Sequence, residues 1–95
     1  MDNADNQVII TVSGTDKVGI VAGVSNKLLQ FSVNIEDIKQ TLMQGHFVMF
    51  MLCNIENSNL SFKELKNTLV EEGNKQEVEI WVQKKGIFEK MHTID

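Results

Sequence analysis

The residues best suited to hold a small anion run from Ser13 to Ile20. Ser13-Gly14-Thr15-Asp16 reads as a tight polar turn after the apolar run Val8–Val12, and a helix is expected to start at Lys17 or Val18. Gly19 then falls in the first helical turn, where glycine usually costs about 1 kcal/mol relative to alanine. Lacking Cβ, it lets another chain or a ligand come close to the backbone. The same turn presents unpaired N–H groups and the positive end of a helix dipole, a setting that suits a carboxylate. A plainer use of the same residues is structural. Asp16 then caps the helix, Gly19 allows close packing, and Asn34 is a turn residue. Residue chemistry alone leaves both uses open.

Other chemistries find little support. His46, Cys53 and His92 are the only soft or borderline metal ligands. His46 and Cys53 are seven apart on one expected strand, about 23 Å at roughly 3.3 Å per residue, and the odd spacing turns them to opposite faces. They cannot share a metal within one chain, and His92 reads as a surface residue. Cys53 lies in an apolar run with no histidine to activate it, so it reads as inert packing. Ser25 and Ser61 read as helix-surface and cap residues. Glu36 and Asp37 are adjacent on a strand and point apart, so they form no acid/base pair. No catalytic residue, metal or cofactor is expected, and neither G-x-G-x-x-G nor a P-loop is present.

The elements that position these residues follow from periodicity. Val8, Ile10 and Val12 alternate with Ile9, Thr11 and Ser13 as in a strand. Val21, Val24, Leu28 and Phe31 recur at helical spacing. Ile35 to Gln44 reads as an edge-like strand whose uneven apolar spacing predicts a bulge or a late start. Gln44-Gly45 reads as a hairpin turn, and Phe47 to Ile55 as a strand buried on both faces or nearly so. Ser61 and Glu64 form a capping box, with Leu60 and Leu65 as its hydrophobic staple. Phe62, Leu65 and Leu69 form the second helix's buried stripe, and Gly73 is expected to end that helix. Val78, Ile80 and Val82 make a fourth strand that Gly86 breaks. Ile87, Phe88 and Met91 then form a short amphipathic turn.

The order is βαββαβ, which two right-handed split βαβ units close into an α+β ferredoxin-like sandwich. Its antiparallel sheet order is 4-1-3-2, with both helices on one face. Ile9, Thr11 and Trp81 then lie on the uncovered face, where a large apolar patch marks an interface between subunits. The C-terminal turn is expected to cover part of it.

Ninety-five residues make one domain. The net charge of −4 argues against nucleic acid. The stretch from Gln44 to Met51 also misplaces the aromatics of an RNA-recognition strand. No apolar run approaches a membrane span. The polar, acidic residues 1–6 read as a flexible tail rather than a signal peptide, and the lone Cys53 fits a reducing cytoplasm.

Thr15-Asp16-Lys17-Val18-Gly19-Ile20 resembles the D-x-x-G turn of ACT domains, followed by an apolar residue. Val33-Asn34-Ile35 resembles the strand opening that follows in that family. The resemblance spans roughly Gln7 to Ile94 and is greatest to small proteins made of one ACT domain, residues 7–95 here. It implies a non-catalytic regulatory module that binds an amino acid at a subunit interface of a homo-oligomer. The ligand-binding residues would be Asp16, Lys17, Val18, Gly19 and Ile20 of one subunit, with Asn34 and Ile35 of another. Two departures bear on the ligand. Val18 stands where many members have proline, and Gly14 where some serine-binding members have histidine. The competing expectation is an interaction module without a small ligand, docking a metabolic enzyme or regulator.

Overall fold

The computed structural model describes residues 6–15 and 19–91. Four strands and three helices follow in the order β1 (Gln7–Thr15), α1 (Ile20–Gln30), β2 (Asn34–Met43), β3 (His46–Asn54), α2 (Phe62–Gln76), β4 (Glu79–Lys84) and α3 (Lys85–Met91). The sheet runs β2-β3-β1-β4, all antiparallel, which is the expected 4-1-3-2 order read from the other edge.

Alternation decides which side of each strand is buried. Val8, Ile10 and Val12 of β1 join Met49, Met51 and Cys53 of β3 beneath α1 and α2, each fully buried. Ile20, Val24 and Leu28 of α1 and Leu65 and Leu69 of α2 complete that core, and Ile80 and Val82 seal its β4 side.

Four local expectations change. First, Ser13, Gly14 and Thr15 are not a turn but the last residues of β1, pairing with Val48, Phe47 and His46. Antiparallel partners there keep the ladder going past the polar residues. Second, β3 is buried on one face only: Phe47, Met49, Met51 and Cys53 are covered, while Phe50 is 39% exposed. Its apolar outer residues face the side that α1 and α2 leave open. Third, α2 runs on through Gly73 to Gln76 and ends at Glu77, which takes the left-handed conformation with φ 61°. Gly73 serves packing, since a Cβ there would come within 2.8 Å of the Val78 carbonyl oxygen. Fourth, β4 stops at Lys84, and Gly86 lies inside α3.

Others stand. β2 carries its bulge between Ile35 and Asp37. Gln44 and Gly45 both have positive φ, 51° and 81°, as a two-residue type I′ hairpin turn requires. Ser61 Oγ accepts from the Glu64 N–H at 3.2 Å while Glu64 Oε1 accepts from the Ser61 N–H at 3.0 Å. Two otherwise orphaned donors are satisfied there. Ser61→Ala is expected to cost about 1 kcal/mol, read as a lowered urea midpoint with an unchanged slope. No change in midpoint would mean that water caps α2 equally well.

Of the polar tail, Asn6 is tied to the sheet through its carbonyl, which accepts from Ile55 N–H at 2.8 Å. Residues 1–5 and His92 lie outside the described residues.

Candidate ligand site and outer sheet face

Gly19 is not inside the first turn of α1 but is its N-cap, with φ 93°. That conformation disfavours a side chain, and the space beside Gly19 is open, with nothing within 4 Å of a Cβ built there. Among the described residues no side chain makes a capping hydrogen bond to α1, and its first turn has no acidic residue. The start of α2, by contrast, is closed by its capping box. Gly19 O accepts the first helical bond, from Gly23 N at 2.8 Å. Ile20 is 1% exposed and anchors the turn in the core. Asp16, Lys17 and Val18, and with them the expected Asp16 cap, lie outside the described residues.

Asn34 opens β2 at the far end of the sheet. It pairs with Asn54, which pairs with Gln7 at the start of β1, whereas Gly19 follows the end of β1. The nine residues of β1 separate the two ends by roughly 25–30 Å at about 3.3 Å per residue. One chain therefore does not bring Gly19 and Asn34 together. Ile35 is half-buried, packed on the core opposite Cys53.

Each end carries a cleft. At the end of β1, Ser13, Thr15, His46, Asn74, Glu77 and Glu79 border one of about 380 Å³. Ser13 Oγ and His46 Nε2 lie 3.0 Å apart within it. Sequence reasoning missed this pair, because β1 was expected to stop before Ser13; the signal was the length of the hairpin partner strand. At the Asn34 end, Ser32, Asn34, Asn54, Glu56 and Asn57 border a cleft of about 370 Å³. Asn54, Glu56 and Asn57 were read only as strand end and loop.

Ile9, Thr11 and Trp81 fall together on the outer face, Thr11 lying between Trp81 and Phe50. Trp81 is 46% exposed. From α3, Phe88 meets Phe50 edge to face, centroids 6.2 Å apart, so the C-terminal helix covers part of this face. Among the described residues, no group of three or more histidines, cysteines or acids is placed to hold a metal. No helix there is long and apolar enough to cross a membrane.

A four-stranded antiparallel sheet with α1 and α2 on one face is a ferredoxin-like sandwich. This chain belongs to the ACT-domain family, whose model matches residues 6–83. ACT domains are regulatory and often bind amino acids. The chain is 44% identical over 88 residues to a UPF0237 protein of Listeria innocua, covering 93% of this chain and 99% of that one. An ACT domain protein from Streptococcus pneumoniae superposes with a TM-score of 0.76 at 36% identity, covering 94% of this chain and 97% of that one. A putative glycine cleavage system transcriptional repressor matches with a TM-score of 0.72 at 26% identity, over 81% of this chain and 44% of that one.

Proposed function

We propose that this protein is a non-catalytic regulatory module that binds an amino acid between two copies of the chain. The observation that carries the proposal is the start of α1: Gly19 heads the helix with φ 93°, and the space beside it is open. The ligand's carboxylate takes backbone N–H groups near Val18 to Ile20, where a carboxylate gains both hydrogen bonds and the helix dipole. Asn34 and Ile35 of a second copy close the site, because one chain keeps the two halves at opposite ends of its sheet. The Asn34 amide can accept from the ligand's ammonium and donate to its carboxylate. Membership of a family that often binds amino acids supports this assignment. So does the glycine-related activity named for one structural neighbour.

Regulation follows from differential affinity. A ligand that bridges two copies shifts only an equilibrium whose states it binds unequally. Those states are two subunit arrangements, or free and partner-bound forms. A buried lone thiol and the acidic balance suit a cytoplasmic module that contacts neither membrane nor nucleic acid.

The second reading is an interaction module with no small ligand, favoured by the exposure of Trp81 and Phe50 on the outer face. Thermal shift against the twenty amino acids separates the two. A ligand at a hundred times its dissociation constant stabilises the fold by about 2.7 kcal/mol, several degrees in a domain of this size. Asn34→Ala is expected to abolish that shift in a folded protein, and Gly19→Leu to do the same at some cost in stability. No shift from any amino acid, with Trp81→Ala disrupting assembly or partner binding, would favour the interaction module.

A further inference from the structure

The cleft at the start of β2 has a chemistry of its own. All five residues that border it, Ser32, Asn34, Asn54, Glu56 and Asn57, are polar. Its volume of about 370 Å³ is within the range of small-molecule sites. Asn54 is held in place: its Oδ1 accepts from Glu56 N–H at 2.8 Å, and its Nδ2 leans toward Glu36 Oε2 at 3.4 Å. Glu36 is held in turn by Gln7, whose Nε2 donates to Oε1 at 2.9 Å. An amide nitrogen carries two hydrogens, so Asn54 keeps a donor for a ligand while its plane is set by the protein.

Ser32 adds a second observation. It is the C′ residue of α1, where Val33 N–H reaches Leu28 O at 2.9 Å and Ser32 N–H reaches Leu29 O at 3.1 Å. This is the Schellman arrangement, which normally employs glycine at that position. Here a serine holds φ 59°. The backbone would be more relaxed with glycine, and Ser32 is one of the residues that border the cleft.

We infer that this cleft selects the ligand's side chain, and that the ligand is an amino acid with a neutral hydroxyl or amide group. The inference rests on the amino-acid-binding reading above and names the class within it. Glu56 and Asn34 face the ammonium end. Ser32, Asn54 and Asn57 pair with the side-chain hydroxyl or amide. An isobutyl or phenyl group would displace water from these amides and return no hydrogen bond, which costs affinity. Sites built to hydrogen-bond a polar group reject analogues that lack it far more strongly than apolar pockets reject an extra methylene. The carboxylates of Glu36 and Glu56 disfavour aspartate and glutamate by repulsion.

The test is calorimetric titration of the full chain with serine, threonine, asparagine and glutamine against leucine, phenylalanine, aspartate, glutamate and lysine. A hydroxyl or amide amino acid is expected to bind tightest. Ser32→Gly and Asn57→Ala are each expected to weaken it at least tenfold. Ser32→Gly should do so with an unchanged or raised ligand-free melting temperature, which separates lost contacts from lost fold. Tightest binding of leucine, phenylalanine or a charged amino acid would overturn this selectivity and leave the regulatory reading standing. Binding of a polar amino acid that neither variant weakens would place the side chain elsewhere and overturn it too. No binding by any amino acid would overturn both.

Discussion

Between pH 9 and pH 12, the wild-type domain is expected to lose roughly 4 kcal/mol of stability through one thiol. Cys53 sits in β3 between Val8 and Ile35 of the neighbouring strands and is fully buried. Burial, with a smaller contribution from the Glu36 carboxylate, raises its pKa from 9.0 to about 12. A thiolate at that position would have to form without water around it. The sign follows from proton binding. Below pH 9 the thiol is protonated in both folded and unfolded chains and contributes no slope. Above it the unfolded chain ionises while the folded chain keeps its proton, so stability falls as pH rises toward 12. Urea unfolding of wild type and Cys53→Ala at intervals across this window isolates the effect, because the lysines titrate alike in both. The gap between the two proteins should close steadily above pH 9. Parallel curves would mean that the folded state does not hold the proton. The same burial predicts that native Cys53 is inert to thiol reagents and reacts only on unfolding.

Two glycine substitutions should differ in sign. Gly73→Leu is expected to cost more than about 3 kcal/mol, a large part of the 5–15 kcal/mol that holds a typical domain together. At Gly73, a Cβ would meet the Val78 carbonyl oxygen at 2.8 Å and Ile80 Cγ1 at 2.9 Å. The carbonyl cannot swing aside, since the adjacent Val78 N–H donates to Gly73 O at 2.9 Å and fixes the approach of β4 to α2. Helix propensity would favour any other residue there by up to about 1 kcal/mol, and the clash outweighs it. Gly86 also lies in a helix, but a Cβ there would meet nothing within 4 Å. Gly86→Ala is therefore expected to be neutral or to stabilise by up to about 1 kcal/mol. Paired urea curves for the two variants decide the matter. A Gly73→Leu protein as stable as wild type would show that β4 can retreat from α2.

The two glycines also show where sequence reasoning reaches its limit. Gly73 looked like a helix stop because glycine commonly takes the left-handed conformation after a last turn. Here Glu77 takes that conformation four residues past Gly73, and Gly73 makes room for β4. Nothing local to residues 70–77 distinguishes these uses; the distinction is made by Val78 and Ile80 from the next element. The capping box at Ser61 was legible, since donor and acceptor are three residues apart. Gly19 was recognised as special, but its role as cap rather than first-turn residue depends on a φ of 93° that residue type only permits.

The same division runs through the candidate site. By itself the sequence determined the βαββαβ order, the inward set Val8, Ile10 and Val12, the bulged second strand and the family, because periodicity, caps and turns are written in neighbouring residues. Only the tertiary structure decided that Ser13 meets His46, that Asn34 stands opposite Asn54, and that Glu36 reaches Gln7 and Asn54. These partners are 18 to 33 residues apart for the side-chain contacts, and strand register brings them together. Register is set by the whole hairpin and its bulge. A shift of one residue would have turned each of these side chains to the other face of the sheet.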